Sequence, residues 1–173
     1  MKLLFEMDTK DYDIHGKTFI RPSVRSIIIR ENKVGMVHSM KYDYYKFPGG
    51  GIESGESQTD ALIRETLEET GLIVIPNSIC EYGYVHRIQK GEKEAVFIQD
   101  NYYYLCDVES SIVSQRLDDY EAEEKFTLEY VEPRAAICAN RERPHGSKDK
   151  IMLEREARVL EMLIKDRLLH SII

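Results

Sequence analysis

Along the chain, short runs of apolar residues alternate with polar ones far more often than they follow a helical repeat. Alternation or near-continuous apolarity marks Leu3 to Met7, Arg25 to Arg30 and Val34 to His38 as strands. The last two are joined through Glu31, Asn32 and Lys33 as a hairpin. Further strands are expected over Leu72 to Ile75, Ser78 to Ile88, Ala95 to Val108 and Thr127 to Val131. Two segments instead carry helical spacing. From Gln58 to Thr70, Ile63, Thr66, Leu67 and Thr70 occupy one side, and Glu65, Glu68 and Glu69 (i, i+3, i+4) the other. From about Lys148 to Leu168, Leu153, Ala157, Leu160 and Ile164 form an apolar stripe at i, i+4, i+7 and i+11, the pattern of a helix packed on a core. Strands dominating around two helices predict a layered α/β domain.

The first helix carries its own boundary signals. Ser57 and Asp60 form an S-x-x-D start, and Gly71 supplies a residue that ends a helix in the left-handed conformation. Its acidic side is costly as it stands. Three carboxylates repel one another, and two of them lie in the last turn, where the helix dipole favours cations. Arg64 can reach Glu68 one turn on, and hard divalent cations suit several carboxylate oxygens brought to one place. The plainer reading, a solvated acidic helix face, requires the surrounding spacing of glycines and acids to be accidental.

That spacing is specific. From Gly50 the chain reads glycine, five residues, Glu56, seven residues, then Arg64-Glu65-Thr66-Leu67-Glu68-Glu69-Thr70-Gly71-Leu72. It resembles the Nudix box, G-x5-E-x7-R-E-U-x-E-E-x-G-U with U a bulky aliphatic residue, at every specified position except Thr66. A chance match at the Gly, Glu and Arg positions is expected on the order of once in a million chains of this length. The Thr66 departure puts local packing, rather than activity, in question.

The resemblance implies an α/β/α sandwich with a mixed sheet, the box forming a loop, helix and loop. It implies hydrolysis of the diphosphate linkage of a nucleoside diphosphate derivative, with Mg2+, or Mn2+ as an alternative, as cofactor. The metal-binding residues it implies are Glu65, Glu68 and Glu69 with the Gly50 carbonyl, and a glutamate in a later loop. Glu124 is the choice for that position and Glu123 the second, within Tyr120-Glu121-Ala122-Glu123-Glu124; a solvated acidic loop is the alternative there. Which glutamate serves as the base stays open. Arg64 joins the catalytic set with Glu56 as its support, holding the helix carboxylates in place, although the same two residues suit a purely structural ion pair. Gly49, Gly50 and Gly51 after Pro48 allow close backbone approach to a metal or phosphate. Substrate contacts are sought in Arg25, with Arg21 nearby, and in the aromatic residues just ahead of the box, Tyr42, Tyr44, Tyr45 and Phe47, with core packing as the alternative. His86 and His145 are lesser candidates.

Composition narrows the rest. A length of 173 residues without a Pro/Gly/Ser-rich linker predicts a single domain over 1–173, with the box at 50–72 and the last helix near 148–168. Hydrophobic residues make up 42% and charged residues 32%, with no apolar run long enough for a membrane span. The amino-terminal stretch turns acidic too early for a signal peptide, and three scattered cysteines form neither a zinc pattern nor a disulfide framework, so the cytoplasm is the expected compartment. A net charge of −7 disfavours a broad nucleic-acid surface. The resemblance implies a small nucleotide as partner, with homodimerisation left open. Nucleoside triphosphates come first by elimination, then nucleotide sugars and ADP-ribose. A domain that senses nucleotides without turnover is the competing reading, and the intact glutamates argue against it.

Overall fold

The computed structural model describes residues 1–169; the rest of the expected domain, 170–173, lies outside the described residues. Ten strands and four α-helices follow one another in the described chain: β1 (Leu3–Asp8), β2 (Thr18–Ile20), β3 (Ser23–Arg30), β4 (Lys33–Ser39), β5 (Tyr44–Lys46), α1 (Gln58–Thr70), β6 (Leu72–Val74), β7 (Cys80–Gln89), β8 (Val96–Leu105), β9 (Val108–Ile112), α2 (Asp119–Glu124), β10 (Phe126–Val131), α3 (Pro133–Glu142) and α4 (Lys150–Lys165).

The large sheet runs β1-β7-β8-β3-β4-β10, with β2 beside β8 and β5 beside β4. It is mixed because β3 changes partner along its length. Its first half pairs in parallel with β8 (Ser23 to Ile27), and its second half antiparallel with β4 (Ile28 to Arg30). The β3–β4 connection is the expected hairpin, with Glu31 and Asn32 both at positive φ, the conformation that a two-residue turn between twisted strands demands. Strand alternation sorts β3 between two layers: Val24 and Ile28 pack toward α1 and β6, whereas Ile27 joins the core under α3 and α4. The described residues thus form an α/β/α sandwich with a mixed sheet.

Several elements escape the hydrophobic pattern. The structure adds α2 and α3 to the two expected helices. Helix α2 is a short acidic turn held by a capping box between Asp118 and Glu121. Helix α3 opens on Pro133 at its first turn and buries Ala136, Ala139 and Asn140 at i, i+3 and i+4. The run expected as one strand from Ala95 to Val108 ends at Leu105, and Val108–Ile112 turns away to pair with β6.

Candidate active site

The box helix starts and stops where its caps dictate. The Ser57 side chain accepts from the Asp60 backbone N–H, and Gly71 adopts φ 73° and donates to the Leu67 carbonyl. The segment after β9 then covers the exposed carbonyl end: Val113 N donates to Gly71 O, and Arg116 N to Glu68 O at 2.8 Å. The Gln115 side-chain amide also donates to Glu69 O, so backbone and amide donors reach these carbonyls.

Arg64 is the hub of the acidic side. It binds Glu56 through two parallel bonds of 2.8 Å, Glu65 at 2.8 Å, Glu68 at 3.1 Å and the Gly51 carbonyl at 3.2 Å. The guanidinium bonded to Glu56 holds that carboxyl below its ordinary range. Burial, in contrast, pushes Glu65 up, partly countered by Arg64. A Cβ on Gly50 would fall on the Glu65 carboxylate, so the glycine there is what admits that acid to the loop backbone. At Gly49, φ is 136° and a Cβ would strike the Val24 carbonyl, so both the conformation and the space exclude a side chain.

Glu69 departs from the expected arrangement. It is only 1% exposed, with one carboxylate oxygen on Lys46 Nζ and the other accepting from Gly49 N at 2.9 Å. Helical geometry explains this: seven residues after buried Leu62, Glu69 returns to within about 20° of the same direction, so it follows Leu62 and Thr66 into the interior. Burial, opposed by Lys46, pushes its pKa up to about 7. Among the described residues no group of three or more His, Cys, Asp or Glu side chains converges in a metal-holding arrangement. Arg64 and Lys46 instead divide the box carboxylates between them. The donor set nevertheless fits a hard cation, since Glu65, Glu68 and the Gly50 loop present only oxygens, with Glu65 pressed against the loop.

Thr66 is completely buried, and its hydroxyl pairs with Ser26 Oγ on β3 and donates to Leu62 O at 2.6 Å. The departure from an aliphatic residue is thus matched by a polar partner across the helix–sheet contact.

On the other side of the Gly49–Gly51 loop lies a cleft of about 890 Å³. Eight Lys and Arg side chains line it against four acids, which makes it locally cationic in a chain of net charge −7. Arg25, Lys46, Arg87 and Arg155 are buried in its floor and walls. Arg25 donates to the Gly49 carbonyl, while its Nε is buried without a partner among the described residues. Lys46 also reaches Gly49 O, at 3.4 Å. Arg87 pairs with Asp149 at the start of α4, and Arg155 donates to Asn101 Oδ1 at 2.7 Å and to Glu156 at 2.9 Å.

Glu124 faces this cleft from the end of α2. Ser39 Oγ donates to it at 2.9 Å and Tyr44 OH at 2.8 Å, and Lys148 forms its ion pair. Burial and the Glu124 carboxylate raise the Tyr44 phenol far above its ordinary range. Neighbouring acids behave differently: Glu123 is exposed and pairs with Lys41, while Glu121 is buried and caps its own helix.

Tyr45 and Phe47, expected at the substrate, belong to the core instead. Tyr45 stacks on His38 at 4.3 Å and donates to Glu129, and Phe47 is fully buried edge-on to Tyr103. Alternation along β5 accounts for the miss, because it turns Tyr44 and Lys46 to the cleft and Tyr45 and Phe47 to the core. Lys46, Arg87, Lys148 and Arg155 were not singled out by sequence. Only Lys46 had a local signal, its place on the polar side of that alternation. His86 bonds Asp100, and His145 bridges the Tyr42 and Ala139 carbonyls; neither lines the cleft.

Comparison with known proteins agrees with this geometry. The NUDIX domain model matches residues 20–154. An uncharacterized Nudix hydrolase, YvcI, of Bacillus subtilis is 34% identical over 34% of this chain and 37% of its own length. An ADP-ribose pyrophosphatase of Methanocaldococcus jannaschii is 32% identical over 42% of this chain and 43% of its own. The matches therefore span about two fifths of these curated relatives. Among solved structures, a MutT protein from Bacillus halodurans has a TM-score of 0.55 at 19% identity, covering 78% of this chain and 80% of that one. A UDP-X diphosphatase also reaches 0.55, at 20% identity, covering 86% and 64%; at such identities the likeness is one of fold. The matched span holds the complete box, its Arg64 hub and the lining of the cationic cleft except Phe19 and Arg155, and the chain belongs to the Nudix domain family.

Proposed function

We propose that this chain is a divalent-metal-dependent pyrophosphohydrolase that cleaves the diphosphate linkage of a nucleoside diphosphate derivative, with nucleoside triphosphates first, then nucleotide sugars and ADP-ribose. One observation carries the reading. The Gly49–Gly51 loop stands between the box acids and the cationic cleft, contacted by Arg64 and Glu65 on one side and by Arg25 and Lys46 on the other. A diphosphate held by the cleft cations is thereby brought beside the acidic helix. A similar protein whose name specifies cleavage of a diphosphate bond, the ADP-ribose pyrophosphatase, supports the same chemistry.

Glu65, Glu68 and the Gly50 carbonyl would hold the metal, Mg2+ in the first instance. When bound, a divalent ion neutralises diphosphate charge and lowers the pKa of the attacking water. Arg64 fixes the rotamers of Glu65 and Glu68, anchored in turn by Glu56. Glu69 is already committed to Lys46 and Gly49, so in this arrangement it positions the loop. Arg25, through its Nε, donates to a phosphate oxygen, and Glu124, the buried one of the four acids lining the cleft, is assigned the proton transfer.

The test is a panel of nucleoside triphosphates, nucleotide sugars and ADP-ribose with Mg2+, read by phosphate release after phosphatase treatment and by product identity. Turnover lost in Glu65→Gln and Glu68→Gln supports the reading. Tight binding of the panel with no turnover by the natural chain would favour a nucleotide-sensing domain instead.

A further inference from the structure

The mouth of the cleft carries an aromatic pair to which the chemistry above gives no role. Strand β2 pairs in parallel with β8, setting Phe19 directly beside Phe97, with ring centroids 6.0 Å apart and planes at 37°. Both rings line the cleft. Phe97 is flanked on the neighbouring strand β7 by the buried Arg87 guanidinium, 5.7 Å from its centroid. Phe19 is left 49% exposed, a large apolar ring half in water. On the same side of β8, two residues beyond Phe97, alternation places Gln99, and on the neighbouring β3 it places Arg25, so the sheet presents first aromatic rings and then cations. An exposed ring next to buried cations matches a ligand with a flat π-system at one end and phosphates at the other.

We propose that Phe19, backed by Phe97, is the platform on which the nucleobase of the substrate stacks, and that it sets the preference for nucleoside-linked over base-free diphosphates. The proposal rests on the cleft being the nucleotide site. Stacking is tolerant of base identity because every base has a π-face. Phe19 should therefore raise affinity for all nucleotides while leaving the choice among bases to other contacts.

The experiment is equilibrium binding by calorimetry, with the full chain in chelator-containing buffer so that no turnover intervenes. The probes are ATP, GTP, CTP and UTP in turn, and inorganic triphosphate as the base-free anion. Phe19→Ala is expected to weaken each nucleotide about ten-fold and to leave inorganic triphosphate unchanged. Phe19→Trp is expected to retain or tighten nucleotide binding, and an unchanged melting temperature in each variant certifies the fold. Loss of nucleotides and inorganic triphosphate in equal measure, or of neither, would overturn the platform. Equal affinity of the natural chain for nucleotides and inorganic triphosphate would overturn it too while leaving the cleft as an anion site, whereas binding of no probe at all would overturn both the platform and the cleft as a phosphate site that works without metal.

Discussion

Lys46 closes on Glu69 across the loop between β5 and α1, and both side chains are almost wholly buried, at 9% and 1% exposure. The pair locks the end of the box helix to the strand that faces the cleft. Its cost is visible in Glu69, where loss of hydration outweighs the attraction of Lys46 and lifts the pKa from 4.5 to about 7.

The sign of the resulting pH dependence follows. Between pH 4.5 and about 7 the folded chain holds a proton on Glu69 that the unfolded chain has lost, so stability is highest below this window and falls as pH rises through it. The contribution is about 3 kcal/mol across the whole window. Glu69→Gln, unable to ionise, should flatten this part of the curve, meeting the natural chain near pH 4.5 and exceeding it near pH 7. Urea unfolding across that range in metal-free buffer checks this, and parallel curves for the two proteins would refute it.

Thr66 and Ser26 yield a second prediction. Their hydroxyls pair in a fully buried contact between α1 and β3. Thr66→Val keeps the shape but deprives Ser26 Oγ of that partner, which costs about 1–3 kcal/mol. Adding Ser26→Ala should recover most of the loss. A double-mutant cycle from chemical denaturation measures the coupling, and additive losses would show that the two hydroxyls act independently.

How much of this was legible in the chain depends on how local each cause is. The box helix was legible to the residue, because Ser57 and Gly71 fix its ends through neighbours in sequence. The Arg64 hub was legible for the same reason, its partners lying within eight positions except for Gly51. The cleft was not, since Arg87 reaches it from β7, and Lys148 and Arg155 from the loop before α4 and from α4 itself, far in the chain from Arg25 and Lys46. Burial of Glu69 was encoded in its seven-residue distance from Leu62, but a run of acids masked the period. Tyr45 and Phe47 show a different limit, since aromatic residues suit both faces of a strand and only the packed partner decides between them.

Helix α3 buttresses the site through one side chain. Asn140 accepts from Tyr45 N and donates to Tyr45 O, both at 2.8 Å, completing the edge of β5 that β4 leaves unpaired. Asn140→Ala leaves a buried N–H and C=O without partners, at about 2–4 kcal/mol for the two together. The expected result is a clear fall in the denaturation midpoint. Asn140→Asp, which sets a buried carboxylate oxygen against the Tyr45 carbonyl, should fall at least as far as Asn140→Ala at neutral pH. A midpoint unchanged in Asn140→Ala would mean that the strand edge finds other partners.

Glu124 gives the last prediction, and the structure changes how it must be controlled. Glu121, on the same acidic stretch, is buried and caps α2, so its substitution would disturb the helix that carries Glu124. Exposed Glu123, paired with Lys41 at the surface, is the proper control for loop charge. If Glu124 transfers a proton in the reaction, Glu124→Gln should lower kcat by about a hundred-fold or more with little change in KM, while Glu123→Gln stays close to the natural chain. Lys148→Met separates this from a purely electrostatic role. It removes the cation paired with Glu124 and one of the charges that line the cleft, so its main effect should fall on KM. Were Glu124 present only to hold Lys148, the two variants would share one phenotype, a raised KM at nearly constant kcat, and the proton-transfer role would have to be given up.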